Sequence, residues 1–309
     1  MGLFEQGQTI KAVCTDCNTY FGKYVDPVFA EDTYEAILRT KQGLKTPAAL
    51  QVLRYERINI TIPGDGWWAG ARLKFKEQND ETILDLPAQM GFLRKSTQKY
   101  EYFLLGELDD VPDWTDFETK NWKVMSVNEE DENKLKEFCT KKFGASTTFA
   151  VQDEKIPAKN GELEVELTSR IDELVKRAVC KIAFNYLAKQ IPREKSNILL
   201  DASFNDIRDF VRKGTPLAPE RIKISVGNEN SILKLPENQG VYAHLIVLDY
   251  SSDGALHCRF SPYDHLHYDV LLNVIGPIVE PVGHAFLYKT EPKVCKPLFT
   301  SPETKTYRM

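Results

Sequence analysis

The chain has 309 residues, 42% of them apolar and 28% charged, which excludes general disorder and is enough to bury a core without disulfide staples. Lys plus Arg total 40 against 45 Asp plus Glu, a net charge of −5, so any nucleic-acid contact must come from local basic patches. No apolar run approaches the ~20 residues of a membrane span and the start, MGLFEQGQTI, lacks a secretion signal, so the sequence reads as a cytoplasmic protein without a membrane partner.

Residues 1–45 form a first unit containing Cys14-Thr15-Asp16-Cys17-Asn18. Asp26-Pro27 then predicts a helix, with Asp at the N-cap and Pro in the first helical position, running to about Lys41 and stopping at Gly43. Phe29, Thr33 and Ile37 share one row of it and Ala30, Tyr34 and Leu38 the next, giving a stripe to bury. From Leu53 to Leu105 the period becomes two, predicting strands at Tyr55–Ile62, Trp68–Phe75, Thr82–Leu86 and Tyr100–Leu105. Residues 106–118 read as an exposed acidic loop, Glu129–Phe143 as a helix closing at Gly144, and Pro157–Gly161 as a turn.

The longest predicted helix opens with a Ser169/Asp172 capping pattern, aligns Ile171, Leu174, Val175, Ala178, Ile182 and Tyr186, and ends at Ile191-Pro192. Another runs from Ser203 at the N-cap to Gly214, with Phe204, Ile207, Phe210 and Val211 apolar. Strands follow at Arg221–Val226, Val241–Tyr250, Ala255–Ser261, Tyr268–Ile275 and Gly283–Lys289, before a frayed tail beyond Pro297. The class is α+β: a small N-terminal unit, then a mixed domain (46–309) of antiparallel strands and about three helices, with a further division near 145–165 left open.

Cys14 and Cys17 have the spacing at which two thiolates take adjacent corners of a zinc tetrahedron. No Cys or His precedes Cys14 and the next Cys is Cys139, so a second ligand pair is not nearby. A redox pair would need a βαβ setting that is missing, and two uninvolved thiols remain the plain alternative. Cys139, Cys180, Cys258 and Cys295 stand alone in apolar or amphipathic contexts and read as buried thiols.

The string from Ala12 through Cys14, Cys17, Asn18, Phe21 and Gly22 to Val25-Asp26, with Arg39 and Gly43-Leu44 beyond it, resembles the second half of an HNH endonuclease domain. That resemblance implies a partial, treble-clef-like unit in which Cys14 and Cys17 bind structural zinc. It implies that Asn18 approaches the catalytic metal or the scissile phosphate, with Mg²⁺ or Mn²⁺ assisting phosphodiester hydrolysis in the full domain. Leu86-Pro87-Ala88-Gln89-Met90-Gly91-Phe92, Ala178–Leu187 and Phe204–Gly214 are similar to landmarks in the long C-terminal region of one group of such proteins. The family's other CxxC and its base are not here: 13 residues precede Cys14 and the first His is His244. Asn18 cannot accept a proton in place of that base. The expectation is that Met1 lies inside a longer reading frame, that the chain as written is half a nuclease, and that it does not cleave by itself. The alternative is a non-catalytic protein that binds a partner or nucleic acid, DNA or RNA, and retains a vestigial HNH segment. Oligomerisation is open in either case.

Three other groupings carry weaker signals. His265 and His267 would share a strand face, with His257 on the preceding strand, as a metal site or as solvent-facing polar residues. Arg208 and Arg212, with Lys213 beside them, form a basic row that either holds phosphates or is simply solvated. Trp67 and Trp68, on alternating strand geometry, would place one ring in the core and the other at the surface. No phosphate-binding glycine loop or dinucleotide fingerprint is present.

Overall fold

A computed structural model describes residues 15–41, 53–78, 81–111, 113–144, 149–150, 162–226, 242–273, 276–288 and 294–299. The protein is α+β. Its helices are α1 (Thr15–Tyr24), α2 (Asp26–Glu31), α3 (Tyr34–Lys41), α4 (Glu129–Phe143), α5 (Glu173–Gln190) and α6 (Asn205–Lys213). Two compact units form, one from Leu53–Ser169 and the other from Met1–Val52 together with Arg170–Met309. The first unit expected from the sequence, 1–45, is thus not separate: its described residues, 15–41, share a core with the C-terminal part of the chain, and residues 53–169 form the other unit.

The Leu53–Ser169 unit holds β1 (Ile58–Thr61), β2 (Arg72–Gln78), β3 (Glu81–Asp85), β4 (Gln89–Arg94), β5 (Lys99–Leu104), β6 (Trp122–Met125), β7 (Phe149–Ala150) and β8 (Glu166–Ser169). Sheet β3-β2-β1-β8 is antiparallel; sheet β5-β4-β6-β7 is antiparallel except for the parallel β6–β7 pair. The Gln89 side chain stitches the two together. Fully buried, its Oε1 accepts from the Arg72 N–H at 2.8 Å, while its Nε2 donates to the carbonyls of Arg72 (2.8 Å) and Pro87 (3.1 Å). The amide thus substitutes for a strand residue where no strand can pair. At Gly91 on the same strand, a Cβ would stand 2.7 Å from the Tyr102 ring, so only glycine fits.

Helix α4 packs its Leu135 and Cys139 against Met90, Phe92, Leu108, Phe117 and Trp122. Its limits are those read from the sequence, because local chemistry sets both ends. Asn128 Oδ1 accepts from the Asp131 N–H at 2.8 Å, four acids fill the first turn, Lys141 and Lys142 the last, and Gly144 closes it at φ 96°. The segment expected as an exposed acidic loop is corrected: Leu105–Asp110 is a 3-10 turn, and Leu108 and Phe117 are core residues. The expected split of Trp67 and Trp68 between core and surface also fails, since both lie half-buried in a turn.

The other unit is built on a six-stranded antiparallel sheet, from β9 (Ile222–Val226), β10 (Tyr242–Tyr250), β11 (Leu256–Ser261), β12 (Leu266–Asn273), β13 (Val282–Tyr288) and β14 (Val294–Phe299), in the order β14-β13-β10-β11-β12-β9. One face presents Ile246, Leu248, Cys258, Phe260, Tyr268 and Val270 by strict alternation, and α5 lies against it. Asp172, not Ser169, caps α5: its carboxylate accepts from the N–H groups of Leu174 (3.1 Å) and Val175 (3.2 Å). Ser203 likewise caps nothing; Asp201 starts a 3-10 turn at Ala202–Phe204, α6 begins at Asn205, and Gly214 ends it in the left-handed region at φ 75°.

The single helix expected over 26–41 is two. Asp26 and Pro27 are its first helical residues after Val25, and it breaks at Asp32–Thr33. There the Thr33 hydroxyl donates to the Phe29 carbonyl at 2.8 Å, competing for an acceptor the helix would use. The stripe survives the break, with Phe29, Thr33 and Ile37 all buried. Strand β14 extends to Phe299, so the chain is paired two residues past Pro297, where fraying was expected. Gly43 and the turn at Pro157–Gly161 lie outside the described residues.

Gln89→Leu keeps the volume but leaves one N–H and two carbonyls without their partner. We expect a loss of about 2 kcal/mol or more in urea unfolding. An unchanged midpoint would mean that the amide is not what joins the two sheets.

Candidate functional site

Helix α1 begins at Thr15, directly after Cys14, which is outside the described residues. Cys17 and Asn18 consequently fall in its first turn. Cys17 is half-buried, packed on the edge of the core, and Asn18 is exposed. Among the described residues, no group of three or more His, Cys, Asp or Glu is placed to hold a metal ion.

The helix is held by α5. Arg177 Nη2 donates to the Tyr20 hydroxyl at 2.9 Å, and Lys181 Nζ contacts both carboxylate oxygens of Asp26 at 2.5 and 2.6 Å while lying 5.0 Å from the centre of the Phe21 ring. Phe21, Val25, Val28 and Phe29 continue the contact as buried apolar side chains. Farther on, Arg39 Nη2 donates to the Ala30 carbonyl at 2.6 Å, tying α3 back to α2.

Glu35 on α3 is a buried acid. It is 1% exposed; its Oε1 accepts from the Tyr268 hydroxyl at 2.6 Å and its buried Oε2 has no hydrogen-bond partner among the described residues. Burial raises its pKa, and the hydrogen bond from Tyr268 only partly opposes that. Tyr268 is itself pushed up by burial and by the nearby Glu35. Tyr34, beside Glu35, stacks on His265 with ring centres 4.7 Å apart.

The three histidines read as a metal candidate do not converge. His257 Nδ1 meets Asp269 Oδ1 at 2.7 Å, His265 sits in the turn before β12 against Tyr34, and His267 is buried. The basic row divides as well. Arg208 is spent on the Leu199 carbonyl (2.7 Å) and the Asn205 side chain, and Lys213 pairs with Asp209 at 2.9 Å; Arg212 stays exposed. Cys139, Cys180 and Cys258 are buried thiols, as their contexts suggest, and burial raises the pKa of each, that of Cys139 to about 12. Cys295 lies in β14, its side chain outside the described set.

One residue that the sequence reading passed over is Arg177. It stands beside Lys176 between Val175 and Ala178 on α5, so nothing in the string sets it apart from a solvated basic pair. No family model matches this chain, and neither does any curated protein or solved structure. No helix among the described residues is long and apolar enough to cross a membrane.

The state of Glu35 can be read from the pH dependence of stability. With its folded pKa above the ordinary 4.5, its contribution is fully present below that value and is lost as pH rises through the folded pKa. Glu35→Gln keeps an oxygen for Tyr268 and cannot ionise. Wild type should lose stability relative to this variant as pH rises from about 4.5, measured by urea unfolding. Parallel pH profiles would count against a neutral carboxyl at this position.

Proposed function

We propose that the chain is an HNH-family protein carrying the second half of a zinc-braced nuclease unit, acting on DNA or RNA in the cytoplasm and not cleaving it unaided. The observation that supports this reading is the place of Cys17-Asn18 in the first turn of α1, with Cys14 one residue ahead of the helix. That is where the resemblance requires the second cysteine pair. Two thiolates fit half of a zinc tetrahedron, so Cys14 and Cys17 would share the metal with another pair, for instance from a second copy. Asn18, exposed at the start of the helix, can donate from its amide to a phosphate oxygen or offer its carbonyl oxygen to a cation. A bound Mg²⁺ or Mn²⁺ would polarise the scissile phosphate, as in other metal-assisted phosphodiester hydrolysis. Activating the water is a separate task that needs a base, and Asn18 cannot perform it.

A second reading is favoured by how firmly α1–α3 are built into the core. Val25, Phe29 and Ile37 are buried there, which suits a binding protein that keeps the segment as a structural cap.

Zinc content of the reduced, purified chain separates the two. The zinc-braced reading expects one zinc per two chains, lost together with several degrees of Tm in the double variant Cys14→Ser/Cys17→Ser. No zinc and an unchanged Tm in the double variant would leave the cap reading. Magnesium- or manganese-dependent cleavage of plasmid DNA by the chain alone would overturn the claim that it does not cleave unaided.

A further inference from the structure

Arg177 is 8% exposed, yet among the described residues no carboxylate pairs with it. A guanidinium cannot shed its proton, so its burial has to be compensated by acceptors. Nε donates to the Val211 carbonyl at 3.3 Å; Nη2 donates to the carbonyls of Val211 (3.0 Å) and Arg212 (3.2 Å) and to the Tyr20 hydroxyl (2.9 Å). The two carbonyls belong to the last turn of α6, where they have no partner within the helix and carry its partial negative charge. This satisfies one side of the guanidinium. Among the described residues Nη1 has no hydrogen-bond partner, and it keeps some access to solvent, so its two N–H groups face outward.

What surrounds that outward edge suits an anion. Gly214 has no side chain to block it; a Cβ there would lie 3.3 Å from Nη1. The Tyr20 oxygen already accepts from Arg177, which leaves its own hydrogen to be donated. Arg212, whose backbone carbonyl Arg177 Nη2 holds, is an exposed residue that brings a second positive charge to this helix end. Lys213 is balanced by Asp209 and adds little, and the exposed Asp16, one turn ahead of Tyr20, opposes the field in part.

We propose that Arg177 Nη1, the Tyr20 hydroxyl and Arg212 form a phosphate-binding site that takes a backbone phosphodiester of a nucleic-acid strand. Nη1 offers two N–H donors to phosphate oxygens, and the burial of Arg177 in α5 holds them in place before the ligand arrives. This deepens the proposed function by naming where the strand is gripped, and it rests on that reading for the choice of a strand over a free anion. The site joins α1, which carries Asn18, to the C-terminal end of α6 through one guanidinium.

The test uses fluorescence anisotropy of the full chain with short labelled DNA and RNA, single- and double-stranded, at several salt concentrations. Arg212→Ala and Tyr20→Phe alter an exposed side chain and a single hydroxyl, so both should fold, which thermal melts will check. Each should weaken strand binding about 3–10-fold whatever the base sequence, and Arg212→Ala should lower the salt slope by about one. Wild-type affinity in both variants, or no binding of any strand by the wild type, would overturn the site. Inorganic phosphate that protects Arg177 from dicarbonyl modification, with no strand able to do so, would overturn the assignment to nucleic acid. Zinc content does not depend on Arg212, so failure here is distinguishable from failure of the zinc-braced reading.

Discussion

Helix α5 has more than one face to bury, and the unit that contains it follows from that requirement. Val175, Ala178, Val179, Cys180, Ala183 and Leu187 are all inaccessible, too wide an arc for a helix that merely covers a sheet. The alternating residues of β10, β11 and β12 meet one part of this arc; α2 and α6 meet others. Small side chains at Ala178, Cys180 and Ala183 permit close approach, and each large residue buried against them contributes about 2 kcal/mol. Residues 15–41 are therefore not an independent module. Phe29 sits edge-on to Tyr268 with ring centres 5.9 Å apart, and removing α2 would open the core to water.

Two buried ionisable groups beside this core are handled in opposite ways, and the difference is chemical. Glu35 can become neutral, so it can be buried with the Tyr268 hydroxyl on Oε1 and, among the described residues, no hydrogen-bond partner within 3.5 Å of Oε2. Arg177 has no neutral form within reach, so its environment must supply acceptors, and the end of α6 supplies them. Glu35 thereby becomes a proton-dependent contact between α3 and the sheet. Arg177 becomes a permanent cation, compensated on one side and open on the other.

Where local chemistry decides, the sequence could be read. Asn128 and Gly144 delimit α4, Gly214 closes α6, and the alternation through 221–289 places five strands in antiparallel order. Where tertiary contacts decide, it could not. Gln89–Arg94 is a strand whose first four residues are all buried, so it shows no period of two, and its Gln89 works only beside Arg72, 17 residues away. The acidic run at 106–118 hid Leu108 and Phe117, whose rings and methyls outweigh the charge around them. At the candidate site, spacing alone singled out Cys14, Cys17 and Asn18. Arg177 was invisible in the same string, because its partners lie 157 residues before it and 34 after it.

The five histidines are spread over the strands and one turn of the six-stranded sheet. His244 is buried, accepts from the Tyr263 N–H at 3.2 Å, and is held by burial at a pKa of about 3. His284 meets the Tyr186 hydroxyl at 2.6 Å, His265 is stacked on Tyr34, and His267 is buried with a contact of its own. His257, paired with Asp269, has the best orientation for a base, since the carboxylate fixes Nδ1 and frees Nε2. Yet it alternates with Cys258, whose side chain faces α5, so His257 projects from the opposite face of the sheet to the one that carries α1–α3. Layers of packed structure stand ~10 Å apart, whereas a general base must come within ~3 Å of the proton it takes. A strand gripped by Arg177 and approached by Asn18 would thus lie on the other face of the sheet from His257.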